Sequence, residues 1–306
     1  MVQRLLLAND LPGVGKVALA TSIPIAAACQ VETMLLPTVL LSSHTGGFPD
    51  VVIEDMTDLN RAYFRQWKNL NLELAGILSG YCRNPQQLSQ LAMYAKQTET
   101  PLIVDSVMGD GGKLYTGFTP TYVEAMKELI QSAKLILPNV TEAAFLTGRD
   151  YLGACYDRVA IEDLLEALAE QVSADIVLTG ISFDDRQIGV AYFQQETREI
   201  TTYMSKKYPA NFFGTGDILS TLLAVASIQQ INLHQAIPLA LDFIDKSLER
   251  TLALDRDLKF GISFEPFLAE LQQAFQTLKE KLAYLQPLFV WLSSLFAFLL
   301  GVNLSI

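Results

Sequence analysis

The sequence predicts an α/β protein with a central, mostly parallel sheet flanked by helices on both faces and a small antiparallel hairpin. Three observations predict it. Short apolar runs of strand character alternate with stretches of helical period from the first residues onward. Several of those runs end in a polar residue or glycine, as expected where parallel strands open onto a ligand crevice. One later stretch, QIGVAYFQQETREITTY, carries two β-rich runs around a polar turn.

The elements follow in order. Residues 5–8 are an apolar strand, and the Ala-rich stretch 16–30 has helical spacing. Between them Gly13-Val14-Gly15-Lys16 resembles part of a phosphate-binding loop. That motif needs a glycine five positions before its Gly-Lys pair and a Ser or Thr directly after it. Asp10 and Val17 stand there instead, so the segment reads as a tight turn shaping a pocket wall. Further strands are expected at 32–36, 75–79, 101–105, 135–137 and 176–179, with helical patterns between most of them. The hairpin is expected from 188–193 and 199–203. The end turns helical, at 214–230, 233–250 and 265–282.

Composition narrows the function. A net charge of −11 argues against a nucleic-acid partner or an anionic lipid surface, both of which reward basic patches. Cys29, Cys82 and Cys155 have neither metal-ligand spacing nor a disulfide pattern, which points to a reducing, cytoplasmic setting. With only His44 and His234, a His-rich metal site or a serine-hydrolase triad has little material. Near the start, Arg4 is followed by too few apolar residues before Asn9-Asp10 to make a signal peptide.

Residues 282–306 contain no charged side chain. A bilayer span takes about 20 mostly apolar residues, so this stretch is borderline. Three readings stay open: a tail anchor flanked by Lys279 and Lys281, a helix packed on the body or a partner, and a non-native extension of the reading frame. The division expected is a body over 1–282 and an apolar tail over 283–306.

The sharpest motif is NFFGTGDILSTLLAVAS. Gly214, Thr215, Gly216 and Asp217 open a long apolar helix. Two glycines let the backbone approach a ligand closely, and the unpaired N–H groups of the first turn make an anion hole. Asp217 is a preferred helix-cap residue, yet a cap needs no flanking glycines. It stands where a substrate hydroxyl would meet the anion hole. In phosphoryl transfer a carboxylate in that position accepts the hydroxyl proton as the new bond forms.

Together with that motif, VDSVMGDGGKLY (104–115) and LPNVTEAAFLTG (137–148) resemble the ribokinase-like superfamily of small-molecule kinases. LPTVLLSSHTGG (36–47) and ILSGYCRNPQQL (77–88) are similar to the pyridoxal kinases in particular. The resemblance runs through residues 1–282 and stops at the tail. It implies a ribokinase-like fold, a single kinase domain over 1–282, and MgATP-dependent phosphorylation of the 5′-hydroxymethyl group of pyridoxal, pyridoxine or pyridoxamine in vitamin B6 salvage. By the same resemblance Asp217 matches the catalytic base, and Gly214 and Gly216 match the anion hole, with Thr215 between them on the ATP side. Thr45, after His44, falls where the family touches the pyridine ring, and Tyr81 where an aromatic side chain packs on it. Asn9 and Asp10 fall on the substrate-side wall. Asp105 and Asp110 match carboxylates near the ATP phosphates and cations, Asn139 and Glu142 the motif that positions Mg²⁺, and Thr179 with Gly180 the strand end beside the nucleotide. Asp105 and Glu142 are the metal-side carboxylates. A homodimer is implied, and a monovalent cation is left open.

Two departures bear on nucleotide and cation contacts. Ser106 stands where the family usually has proline, and Leu137 where a threonine often precedes Pro-Asn. The glycine-rich GDGGKLYTGF reads as a mobile flap over ATP. Hydroxymethylpyrimidine is the alternative acceptor, since its flat ring suits the same wall of His44, Thr45 and Tyr81. A sugar wants more hydrogen-bond partners than that wall offers. A non-catalytic, membrane-tethered binding protein is the alternative from another class, and the tail is the feature that points to it.

Overall fold

The computed structural model describes residues 3–70 and 72–281. The chain starts with β1 (Arg4–Pro12), α1 (Ala18–Ala28), β2 (Glu32–Leu41), β3 (Ile53–Asp55) and α2 (Thr57–Asn69). It continues through β4 (Gly76–Ser79), α3 (Pro85–Thr98), β5 (Leu102–Val104) and the short strands β6 (Gly109–Asp110) and β7 (Lys113–Leu114). Next come α4 (Pro120–Ile130), β8 (Ala133–Ile136), α5 (Val140–Thr147), α6 (Arg158–Ala169) and β9 (Asp175–Ile181). The last elements are β10 (Gln187–Gln194), β11 (Glu199–Lys206), α7 (Thr215–Ile228), α8 (Leu233–Ala253) and a helix over 268–281.

Nine strands among the described residues form one sheet in the order β11-β10-β9-β8-β5-β4-β1-β2-β3. The strands from β2 to β9 in that order pair in parallel. β3 on one edge and the β10–β11 hairpin on the other run antiparallel. The expected hairpin thus exists, but as a continuation of the main sheet. β3 was not expected, because its Ile-Glu-Asp is exposed throughout and carries no apolar alternation.

The alternation within β1 explains the layers. Leu5 and Leu7 point into one core with Leu19 and Ile25 of α1, Leu222 of α7 and Ile237 of α8. Leu6 and Ala8 point into the other, with Leu88 of α3, Met126 of α4 and Leu164 of α6. A strand buried on both faces must be apolar at every position, and residues 5–8 are all buried. Each such leucine contributes roughly 2 kcal/mol by leaving water.

Helix ends are written locally. Asn84 accepts the Gln87 N–H and Pro85 follows it at the start of α3. At α5, Asn139 and Glu142 form a reciprocal capping box, and Gly148 closes the helix at φ 71°. α7 is different: Gly214 precedes it at φ 99° with no side-chain cap.

β1 pairs with β2 on one side and β4 on the other, so the strand order reverses beside it. The carboxyl ends of β1 and β4 therefore border the crevice where open parallel sheets take ligands. No helix among the described residues is long and apolar enough to cross a membrane. The expected tail over 283–306 lies outside the described residues.

Candidate active site

The carboxyl end of β1 delivers Asn9 and Asp10, the loop after β4 delivers Tyr81, and the first turn of α7 delivers Asp217. Asn9 ties three of these together. Its side-chain oxygen accepts the N–H groups of Asp10 (3.0 Å) and Tyr81 (2.8 Å), and its amide nitrogen donates to Asp217 (3.2 Å). Gly80 has to be glycine here, because a Cβ would sit 2.3 Å from the Asn9 amide nitrogen.

Gly214 is held as tightly. Beyond its positive φ, a Cβ there would lie 2.5 Å from the Lys16 carbonyl oxygen. Gly216, two residues further, has nothing within 4 Å of where its Cβ would stand, so the face above it is open. The first turn of α7 thus presents backbone N–H groups without a side-chain cap, next to a carboxylate. That is an anion-accepting geometry. Thr215, half-buried, is its first residue.

Carboxylates crowd this crevice. Burial, then the neighbouring Asp217, pushes Asp10 up to about 7. Burial and Asp217 likewise push Asp105, just past β5, to about 7. Burial and Asp105 push Glu142 to about 8, against the backbone N–H groups that favour its charge. Asp217 itself is raised by burial, while the Ala18 N–H and the Asn9 amide act to keep it ionised. The Tyr115 phenol is raised by burial and then by Glu142, Asp110, Asp105 and Asp217.

The remaining expected residues fall around this crevice. Glu142 accepts the Met108 N–H (3.0 Å), which holds the 106–110 loop to α5, and with its other oxygen the Asn139 N–H (2.8 Å), which closes α5's own capping box. Asn139 donates from its side chain to the Gly109 carbonyl (2.8 Å) and its backbone bridges to Thr179 at the end of β8 and β9. Gly180 is exposed, at φ 72° within β9 opposite a register shift. Asp110 is exposed on β6. The stretch expected as a flap is the β6–β7 hairpin, turned by Gly111 and Gly112 at φ 57° and 77° and pinned by the Gly112 N–H on Thr141 (3.0 Å).

His44 and Thr45 diverge. Thr45 is exposed on its loop. The His44 ring is buried: Gly46 N–H donates to Nδ1 (3.1 Å), so Nε2 carries the hydrogen and donates to the Lys259 carbonyl. Phe48 and Phe213 flank it at 5.1 and 4.9 Å. Both nitrogens are spent on the chain, and His44 knits the loops behind the site.

Tyr81 has support that the sequence did not suggest. Its ring lies 5.6 Å from Phe118, which stacks on Tyr122 at 3.9 Å. Phe118 belongs to the segment expected as a flap, and the contact spans a separation no local pattern reports. Lys16 is turned away from any phosphate, paired with Glu265 and set over the Phe264 ring at 5.7 Å. Among the described residues no three His, Cys, Asp or Glu side chains assemble as a direct metal cage.

A doubly wound sheet, an uncapped glycine-flanked helix start and a carboxylate beside it match the arrangement expected of the ribokinase-like superfamily. The chain belongs to the phosphomethylpyrimidine kinase family, whose model matches residues 27–260, and it groups with the pyridoxal kinases of that superfamily. A solved pyridoxal kinase from Lactobacillus plantarum is 33% identical, with a TM-score of 0.83 over 92% of this chain and 99% of that one. Pyridoxal kinase of Dictyostelium discoideum is 29% identical over 170 residues, 50% of this chain and 54% of that protein. Pyridoxal kinase of Arabidopsis thaliana is 32% identical over 157 residues, 49% of this chain and 48% of that protein. The matches thus span about half the length of these two relatives.

Proposed function

We propose that the chain transfers the γ-phosphoryl group of ATP to the 5′-hydroxymethyl group of pyridoxal, or of pyridoxine or pyridoxamine, as a vitamin B6 salvage kinase. The observation that carries it is Asp217, oriented by Asn9 and standing at the uncapped start of α7. The hydroxyl oxygen of the acceptor attacks the γ-phosphorus, the bond to the β–γ bridging oxygen breaks, and ADP leaves. The hydroxyl proton passes to Asp217 as the phosphoryl group arrives, when the hydroxyl has become acidic. Backbone donors of Gly214, Thr215 and Gly216 hold the charge on the transferred group, at about 3 to 4 kcal/mol for one such donor.

Tyr81, braced by Phe118, and Asp10 on the β1 wall meet the acceptor ring, with exposed Thr45 at the rim. His44 supports that wall from behind. Asp110, Asn139, Thr179 and Gly180 line the nucleotide side. The carboxylates of the crevice fit Mg²⁺, which takes oxygen ligands, keeps several waters and shares phosphate oxygens. Asp105 would hold it, and Glu142, its oxygens already engaged by backbone N–H groups, would position the 106–110 loop around it. A monovalent cation, a homodimer and a cytoplasmic setting belong to the same proposal.

The second reading has hydroxymethylpyrimidine as acceptor, and a family described by phosphomethylpyrimidine, a related pyrimidine, keeps it in play. Initial rates with MgATP and pyridoxal, pyridoxamine or hydroxymethylpyrimidine, measured side by side, decide. Faster turnover of a B6 vitamer is expected. Preference for the pyrimidine would replace the first reading with the second, and no turnover of any of the three would overturn both.

A further inference from the structure

Asn9 was expected on the acceptor wall, and its side chain makes three hydrogen bonds within the protein. The oxygen of its amide accepts two backbone N–H groups, from Asp10 at 3.0 Å and Tyr81 at 2.8 Å. Those two donors leave the amide only one orientation, with its NH₂ group directed at Asp217, 3.2 Å away and 208 positions along the chain. Asn9 is buried, and Gly80 closes over its amide with no room for a Cβ. An amide locked in this way gives the carboxylate a fixed donor, and fixed donors of that kind orient an acid or base without reorganising during the reaction. The same amide joins the base to the backbone of Tyr81, the aromatic residue set for the acceptor ring.

We propose that Asn9 is a positioning residue: its locked amide holds the Asp217 carboxylate toward the acceptor hydroxyl and couples it to the Tyr81 loop. The proposal rests on the reading of Asp217 as the base. A donor on a carboxylate favours its ionised form, so removing the donor must make the base harder to ionise.

The variant that removes the donor without adding charge is Asn9→Ala; Asn9→Asp keeps an oxygen for the two backbone N–H groups but also sets a second carboxyl group against Asp217, so a limb that moves in Asn9→Asp alone would count against the role. The measurement is kcat against pH at saturating acceptor and MgATP, for wild type, Asn9→Asp, Asn9→Ala and Asp217→Asn. In Asn9→Asp the acid limb is expected to move up by about one unit or more, which is about tenfold in kcat below both limbs, with the KM for MgATP unchanged. Asn9→Ala moves the limb in the same direction by less. An unmoved limb in Asn9→Ala, or in Asn9→Asp where only that variant folds, beside an inactive Asp217→Asn, would overturn the role of Asn9 and leave the base reading standing. Failure of both variants to fold would also overturn it, by making Asn9 structural only. Wild-type turnover in Asp217→Asn would remove the base reading, and the role of Asn9 with it.

Discussion

Asp217 has to be ionised to accept a proton, yet burial raises it above the ordinary carboxylate value of 3.8. The sign of the pH dependence follows. Protonation removes the base, so turnover should climb with pH along an acid limb lying above the usual carboxylate range, and a pH–rate profile without that limb would contradict the assignment. Gly216 gives a second test at this scale. A methyl group there meets nothing within 4 Å in the protein, so Gly216→Ala should fold normally. The new Cβ would stand in the open face that the transferred phosphoryl group needs, and a loss of tenfold or more in kcat/KM for MgATP is expected. Unchanged kinetics would take that face out of the reaction. Gly214, Gly216 and Asp217 were legible in the sequence because a helix start is a local pattern. The Asn9 amide was not, since its partner is fixed only when β1 and α7 meet.

α7 is the element on which the account turns. Its first turn is bent into place by Gly214 against the Lys16 carbonyl, so the Gly13–Lys16 turn acts on the site through packing. Gly214→Ala combines a positive φ with a 2.5 Å backbone approach, and a destabilisation of about 1 to 3 kcal/mol is expected from chemical denaturation. A smaller change would mean that the turn yields easily and that its glycine is there for the ligand alone. The alternating strands and the capped helices were readable for the same local reason as the helix start. β3 and the β6–β7 hairpin were not, since one is an exposed edge with no alternation and the other is two residues per strand. His44 was expected on the acceptor wall, but spacing could not reveal that both ring nitrogens are spent on Gly46 and Lys259.

At the scale of the whole molecule, the fold gathers several buried carboxyl groups at one end of the sheet, where burial and mutual repulsion hold them partly protonated. Asp10 and Asp105, near 7, and Glu142, near 8, hold protons in the folded state at pH values where the unfolded chain has lost them. A carboxyl raised on folding contributes stability that is complete below its unfolded value and lost as pH rises through its folded value. The ligand-free protein should therefore lose thermal stability between about pH 6 and pH 9, by at least about 2 °C. MgATP at 100 times its Kd should restore about 2.7 kcal/mol. A Tm that holds or rises over that range without ligand would contradict the crowding described. The parallel order of the sheet was legible from its alternating elements, whereas the convergence of Asp10, Asp105, Glu142 and Asp217 depends on the reversal of strand order beside β1. The central claim is that this crevice exists to put Asp217 against an acceptor hydroxyl, and the direct test is kcat for Asp217→Asn with pyridoxal and MgATP. A fall of about 10²- to 10⁴-fold in a variant that folds and binds MgATP normally is predicted. Turnover near that of the unaltered protein would contradict it.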